Sequence, residues 1–372
     1  MNALPKLCRI SDASAEHDRV AAPGAPMPGN AVYIIAEAGV NHNGDPALAF
    51  QLVDAARASG ADAVKFQAFQ ASNVVSSGAP KAAYQLRTTE ASESQLDMIR
   101  RLELRPEVFR ELCAYCDRQG IVFLATPFDA ASVTLLAEMG LGVFKIPSGE
   151  ITNLPYLRQV GALRRELILS TGMSTLAEVD FALGALEKAG TMREKVSLLH
   201  CTTEYPAPFA EVNLRAMQTM REAFPGIKGV GYSDHTVGIE APIAATALGA
   251  TVIEKHFTLD RTMAGPDHKA SLEPEELAAM VRGIRNIEAA LGAGSKRPAP
   301  SEERMREVVR RSVVAARHIS AGELLTENNL TTKRPGTGVS PVFWDHIIGM
   351  KAPADLAADE LLPLSWLPGE PG

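Results

Sequence analysis

The side chains in this sequence best suited to chemistry are His235 and His256. Each lies at the end of a short apolar run, GVGYSDH and TVIEKHFT, and a stretch of small and apolar residues with helical character separates the runs. If the runs are neighbouring parallel strands, both imidazoles emerge at one rim, as a metal site or as an acid/base pair. A metal held by two protein ligands keeps positions open for water and substrate, which suits catalysis better than structural support. The plainer reading is two satisfied core or rim histidines. Two lysines sit inside other apolar runs, Lys65 in AVKFQ and Lys145 in VFKIPSG. An unpaired ammonium is costly to bury, so each needs an anion: Glu37, Glu150, or a phosphate or carboxylate of a ligand. Thr126, Ser148 and Ser170 stand at neighbouring run ends and would line such an anion site.

The elements that must position these residues follow one repeated grammar from residue 33 onward. An apolar run ends in polar or glycine-rich residues, and an amphipathic helix follows. The runs cover 33–40, 63–67, 122–128, 143–149, 167–173, 196–202, 229–235 and 251–258. Near-continuous apolar strands are expected of a parallel sheet buried on both faces. Helix-opening residues mark the intervening stretches: Asp45-Pro46, Arg105-Pro106, Ser174/Thr175 and Glu273-Pro274. The expectation is an α/β protein with a (β/α)8 TIM barrel over 31–292, its chemistry where strands end and loops begin. A doubly wound open sheet is the alternative, but its G-x-G-x-x-G turn is missing after the first strand. The strand ends also offer Gln67, Tyr205 and Asp267. His200, within SLLHCT, reads as a core histidine, while His42 and His268 stay open between orienting loops and function.

The last barrel helix ends at Gly292, and 293–307 reads as a Gly/Ser/Pro-rich linker. Residues 308–372 read as a small β-rich domain with a marginal core of its own, expected to pack on the barrel or on a partner chain. Its loop KRPGTGVSP exposes Arg334 beside Pro335 and Gly336, where a guanidinium can clamp an anion or a polar ligand group. Residues 1–30 read as a flexible tail, since AAPGAPMPGN cannot pack a core. The net charge of −7 gives no basic footprint for nucleic acid, so none is expected as a partner. No apolar stretch is long enough to span a bilayer and the tail is no signal peptide, so a cytoplasmic enzyme without a membrane partner is expected. The cysteines Cys8, Cys113, Cys116 and Cys201 are too few and scattered for a secreted disulfide scaffold. Cys113 and Cys116 read as two buried thiols on one helix rather than a redox or zinc pair.

The order and wording of IIAEAGVNHNGD, ADAVKFQ, FLATPFD, FKIPSGEITNLPYL, ILSTGMSTLAEV, LLHCTTEYPAPFAEVNL, GYSDHTVGIE, IEKHFTLDR, GPDHKASLEP and TTKRPGTGVSP resemble the sialic acid synthase family. The resemblance covers residues 33 to about 365 and implies a (β/α)8 barrel joined to an antifreeze-like SAF domain of β-clip type. It implies condensation of phosphoenolpyruvate with the open-chain form of an N-acyl hexosamine, giving a nine-carbon 2-keto acid and phosphate. In that reading His235 and His256 hold a divalent metal, manganese or magnesium, that polarises the aldehyde. Lys65, Thr126, Lys145, Ser148 and Ser170 cradle phosphoenolpyruvate, and Glu150 faces its C2. Glu37, Gln67, Tyr205 and Asp267 hold the sugar. Glu37, Lys145 and Glu150 join the two histidines as the catalytic set. Arg334 reaches the sugar's N-acyl group from a second subunit, in a domain-swapped homodimer. Some members of the family carry asparagine where this chain has Thr203. The wording EAGVNHNGD, GEITNLPYL and CTTEYPAPF looks like the branch with legionaminic acid synthases, which take 2,4-diacetamido-2,4,6-trideoxymannose; the neuraminate synthases take N-acetylmannosamine. Two other classes compete. A different metal-dependent barrel aldolase leaves the two lysines and KRPGTG unexplained. A noncatalytic binder has no need of polar strand ends in eight units.

Overall fold

A computed structural model describes residues 31–82, 85, 86, 89, 90 and 92–367; the tail expected at 1–30 and Cys8 lie outside the described residues. The chain divides into two compact units at Gly292. The first is an eight-stranded parallel sheet of β1 (Tyr33–Gly39), β2 (Ala63–Ala68), β3 (Val122–Pro127), β4 (Val143–Ile146), β5 (Glu166–Ser170), β6 (Val196–Cys201), β7 (Gly229–Asp234) and β8 (Val252–His256). The ladder runs β3-β2-β1-β8-β7-β6-β5-β4, so the first and last strands pair, and β3 and β4 face each other across the seam of a nearly closed barrel. All eight strands fall where the apolar runs predict them.

Strand period two sorts the side chains. Ile34, Ala36, Val64, Phe66, Leu167, Leu169 and Ile253 point outward, into the large core shared with the surrounding helices. Tyr33, Ile35, Ala63, Val122, Leu124, Val143, Ile168, Leu199 and Val252 fill the barrel interior. Continuing each inward series toward the strand's C-terminal end changes its chemistry: Glu37, Lys65, Thr126, Lys145, Ser170 and Glu254 follow the apolar members, and all are buried. Gly231 leaves room in this interior, because a Cβ there would come 2.3 Å from the Val252 carbonyl oxygen and 2.7 Å from Leu199.

Helix signals act as their chemistry requires. Asp45 caps the helix Pro46–Ala58 by accepting from Ala47 N–H at 2.8 Å. Thr175 and Glu178 form a capping box on Leu176–Ala189. Prolines occupy the first turns of Pro106–Gln119 and Pro274–Leu291. Cys113 and Cys116 lie on the helix Pro106–Gln119, where burial pushes both thiols up, Cys113 to about 11. Among the described residues no helix is long and apolar enough to cross a membrane.

The second unit pairs β9 (Ser312–Ala315) antiparallel with β10 (Leu330–Lys333) and adds isolated bridges such as Ile319 with Leu356. Val313, Ile319, Leu325, Leu330, Val339 and Leu356 belong to its own core. The stretch expected as linker holds a helix over Pro300–Val309. It starts because Pro300 suits a first turn and Glu302 accepts from the Ala299 N–H at 2.7 Å.

Candidate active site

A cavity of about 370 Å³ opens at the C-terminal ends of the strands. Of the residues expected in the site, Glu37, Lys65, Gln67, Thr126, Lys145, Ser148, Ser170, Tyr205, His235 and His256 line it. Asp267 lines an adjoining compartment with Gln67, Tyr205 and His256. Glu150 follows Ser148 on a short 3-10 turn but does not line the cavity. Its Oε2 accepts from Asn153 Nδ2 at 2.6 Å, which ties the carboxylate to the cap of the helix Leu154–Ala162. Glu150 also partners neither lysine, contrary to one of the alternatives above. The acid missing from the residues expected in the site is Glu254, two residues before His256. Inward alternation along VIEKH was the available signal, because Val252, Glu254 and His256 share a face.

Four charged groups form one buried cluster. Lys65 Nζ lies 2.5 Å from Glu37 Oε2 and 3.6 Å from Glu254 Oε2, and Lys145 Nζ lies 3.2 Å from Glu254 Oε1. Lys65 also donates to Thr126 Oγ1 at 2.8 Å, and Ser233 Oγ to Glu254 Oε1 at 2.9 Å. Burial disfavours every charge here, so neighbours decide which survive. At Glu254, Lys145, Lys65 and the Ser233 hydrogen bond outweigh burial and hold the carboxyl down at about 2. At Lys65, Glu254 and Glu37 outweigh it, so the ammonium is held above the ordinary lysine value. At Lys145 burial wins, helped by repulsion from Lys65, and the pKa falls. Burial and repulsion from Glu254 push Glu37 up despite Lys65. An anion arriving beside Lys145 would add a second counter-charge to the Glu254 carboxylate, which by itself does not offset burial and the repulsion from Lys65. Hydroxyls stand ready for it: Ser170 Oγ and Thr203 Oγ1 line the cavity, buried, without a hydrogen-bond partner. Ser148 Oγ, held by the Gly172 N–H at 2.9 Å and 3.2 Å from Cys201 Sγ, lines the same wall. Residue 172 must be glycine, since a Cβ would fall 2.2 Å from Thr203 Oγ1.

The two histidines form the other half. Neighbouring β7 and β8 bring their rings to 5.6 Å between centroids, and the Tyr205 ring lies 4.1 Å from that of His235 and edge-on to that of His256. His235 Nδ1 is 2.6 Å from the Thr202 carbonyl oxygen, which can only accept; Nδ1 therefore carries the hydrogen and Nε2 keeps its lone pair. Burial lowers His235 to about 4 and His256 well below its ordinary value. Both are neutral bases at pH 7, the state a metal requires. His256 Nδ1 is buried without a hydrogen-bond partner. This donor set fits a divalent cation with open positions. Among the described residues no group of three His, Cys, Asp or Glu side chains could hold a metal.

His42, His268 and His200 are each tied to the backbone or to a neighbouring side chain. His42 Nδ1 accepts from the Gly44 N–H at 3.0 Å, and His268 bridges Thr258 Oγ1 at 2.7 Å and Asn43 Oδ1 at 3.2 Å. Together with Asn41, which donates to the Phe257 carbonyl at 2.8 Å, they join the loops after β1 and β8. His200 Nε2 donates to the Val212 carbonyl at 2.7 Å. In the second unit Arg334 is exposed. Its loop is pinned by the Gly336 N–H to the Glu307 carbonyl at 2.7 Å and by Ser312 Oγ to the Pro335 carbonyl at 2.7 Å.

The lower barrel interior is apolar, while the upper interior carries paired lysines and glutamates that face a cavity. Fold and site are those of a (β/α)8 barrel with a charged pocket at its strand ends, the place where barrel enzymes carry their chemistry. Residues 52–296 match the NeuB family and residues 310–367 match the SAF domain. The chain belongs to the NeuB family of carbohydrate-acid synthases. It is 54% identical to the N,N'-diacetyllegionaminic acid synthase of Campylobacter jejuni over 88% of this chain and 98% of that protein. It is 45% identical to the enzyme of the same name from Legionella pneumophila, over 89% of this chain and 93% of that one. The crystal structure of N-acetylneuraminic acid (sialic acid) synthetase from Leptospira borgpetersenii superposes with a TM-score of 0.64 at 36% identity, over 74% of this chain and 90% of that one.

Proposed function

We propose that the protein condenses phosphoenolpyruvate with an open-chain N-acyl hexosamine to a nine-carbon 2-keto acid and phosphate. The observation that carries this is one cavity holding two buried lysines beside two neutral histidines. C3 of phosphoenolpyruvate forms a carbon–carbon bond to the aldehyde carbon, water adds at C2, and the C2–O bond to phosphate breaks. Lys65 and Lys145, with Thr126, Ser148 and Ser170, bind the phosphate and carboxylate groups. His235 and His256 would hold a divalent cation, manganese or magnesium, which when bound would supply Lewis-acid polarisation of the aldehyde. Glu254, ionised inside the cavity, takes the place beside C2 first expected of Glu150 and opposes the positive charge that develops there. Glu37, whose carboxyl burial pushes up and which is paired with Lys65, holds the sugar's oxygen, and Gln67, Tyr205 and Asp267 bind the rest of the sugar. Burial, with repulsion from Glu37, raises Asp267 to about 7, so it enters neutral solution partly protonated and can donate to a sugar hydroxyl.

The relatives at 54% and 45% identity favour 2,4-diacetamido-2,4,6-trideoxymannose as the sugar over N-acetylmannosamine. Phosphate release from phosphoenolpyruvate, measured with each sugar and with none, tests the reaction. Release that needs no sugar, or no release with either, overturns it. Use of phosphoenolpyruvate is the reason to place the work in the cytoplasm. We further propose that Arg334 completes the sugar site of a partner subunit in a domain-swapped homodimer. Mixing the inactive variants Arg334→Ala and His235→Ala is expected to restore activity, since one site then has its own His235 and an intact Arg334 from the other chain. Confirmed subunit exchange without recovery rules the swap out.

A further inference from the structure

The reaction cavity has a neighbour with an apolar wall of its own. A compartment of about 220 Å³ adjoins it, and Gln67, Gln85, Phe128, Tyr205 and His256 line both. The residues that belong to the reaction cavity alone are mostly charged or hydroxylated. Among the described residues, those that belong to the compartment alone are mostly apolar, Phe69, Val74, Met98, Ile99 and Leu102 among them, with Asp267 as their one charged side chain. Local structure fixes this lining. Phe69 packs edge-on against Phe128 at 6.4 Å between centroids. Met98 and Leu102 are 2% and 8% exposed, on and just after a helix (Gln95–Arg100) that Ser94 caps. Val74 ends the short helix Ala71–Val74. The wall made by Phe69, Val74, Met98, Ile99 and Leu102 gains by meeting apolar groups of a ligand. That wall has little to offer hydroxyls, which would lose water against it without gaining partners.

The two candidate sugars differ in this respect. N-acetylmannosamine ends in hydroxyls at C4 and C6; the diacetamido-trideoxy sugar carries an acetamido methyl at C4 and a methyl carbon at C6. The aldehyde end must meet the histidines, and the compartment adjoins the cavity at His256, so the carbons farther along the chain enter it. We propose that this compartment receives the C4–C6 end of the acceptor, and that Val74, Ile99 and Leu102 select a 6-deoxy, 4-acylamino aldose over a fully hydroxylated one. This rests on the condensation proposed above and names its specificity determinants. Asp267 is left to bind the remaining polar group.

The test measures kcat/KM for both sugars with saturating phosphoenolpyruvate, in the wild type and in Val74→Asn, Ile99→Asn and Ile99→Val. One methyl-sized contact is worth roughly tenfold or more in discrimination. The wild type is expected to favour the diacetamido sugar by at least about tenfold. Each asparagine variant should cut that preference by about tenfold, and Ile99→Val, which loses one methylene but stays apolar, by less, with the KM for phosphoenolpyruvate unchanged. Val74 is 38% exposed, so its replacement opens no core even if Ile99→Asn proves unstable. A wild type with no preference, or variants that slow both sugars equally, overturns the compartment's role while the condensation stands. Failure to release phosphate with either sugar overturns both.

Discussion

Strands β7 and β8 carry an ionic group on each face, and the two groups differ in how completely they are satisfied. On the outer face Lys255 Nζ lies 2.5 Å from Asp234 Oδ2 and also donates to the Thr236 carbonyl. Asp234 accepts in addition from Tyr232 Oη at 2.7 Å, Thr236 N at 3.0 Å and Thr236 Oγ1 at 3.1 Å. Both charges are buried and neither lines the reaction cavity. On the inner face Glu254 and His256 open to the cavity, and Glu254 Oε2 and His256 Nδ1 lack hydrogen-bond partners. The closed network holds the turn after β7, on which His235 sits. The open one keeps capacity in reserve for a ligand. Two adjacent residues, Glu254 and Lys255, thus do different work because the pleat turns them to opposite faces.

The sharpest break in this comparison is expected at the histidines. His235→Ala and His256→Ala should each lower kcat/KM on the order of 10³-fold or more, the loss of several kcal/mol of electrophilic stabilisation, while thermal unfolding stays near wild type. Chelation should silence the wild type, and manganese or magnesium should restore it. Turnover that survives thorough chelation would sink the metal reading. On the outer face the pattern should invert. Lys255→Met leaves a buried carboxylate without its cation and should cost about 3–5 kcal/mol of stability, read from urea unfolding. Asp234→Asn combined with Lys255→Met should recover much of that loss. A Lys255→Met protein as stable as wild type would mean that the network is not structural.

A smaller, selective effect is expected at the inner lysines. Losing a charge-assisted contact of about 1.5–3 kcal/mol should reduce phosphoenolpyruvate efficiency on the order of tenfold to a hundredfold in Lys65→Met and Lys145→Met. Sugar KM should move far less; a change confined to the sugar would place these lysines in the other subsite. The finest distinction is between two carboxylates. Glu254→Gln should lower kcat on the order of 10²-fold with little change in KM, because a charge set against a developing cation acts in the transition state. Glu150→Gln should lose less than about tenfold, since its carboxylate is engaged by Asn153. The reverse order would return Glu150 to the role the family resemblance implies.

The sequence determined the local pattern by itself. Eight apolar runs announced eight strands, and Asp45, Thr175 and the prolines announced helix starts. These features depend on residues a few positions apart, so the chain's own periodicity carries them. Tertiary structure decided the partners. Which carboxylate neutralises Lys145 depends on bringing β4 and β8 to the same level across the barrel, more than a hundred residues apart in sequence, and the answer was Glu254 rather than Glu150. The helix over Pro300–Val309 is a milder case: its proline start was visible, but the Gly- and Pro-rich stretch before it masked the signal. The apolar compartment had no sequence signature, because Phe69, Val74, Met98 and Leu102 look like ordinary core residues until the chain between β2 and β3 folds over the strand ends. Lateral distance and cavity shape arise only when the strands close into a barrel, so no local pattern could contain them.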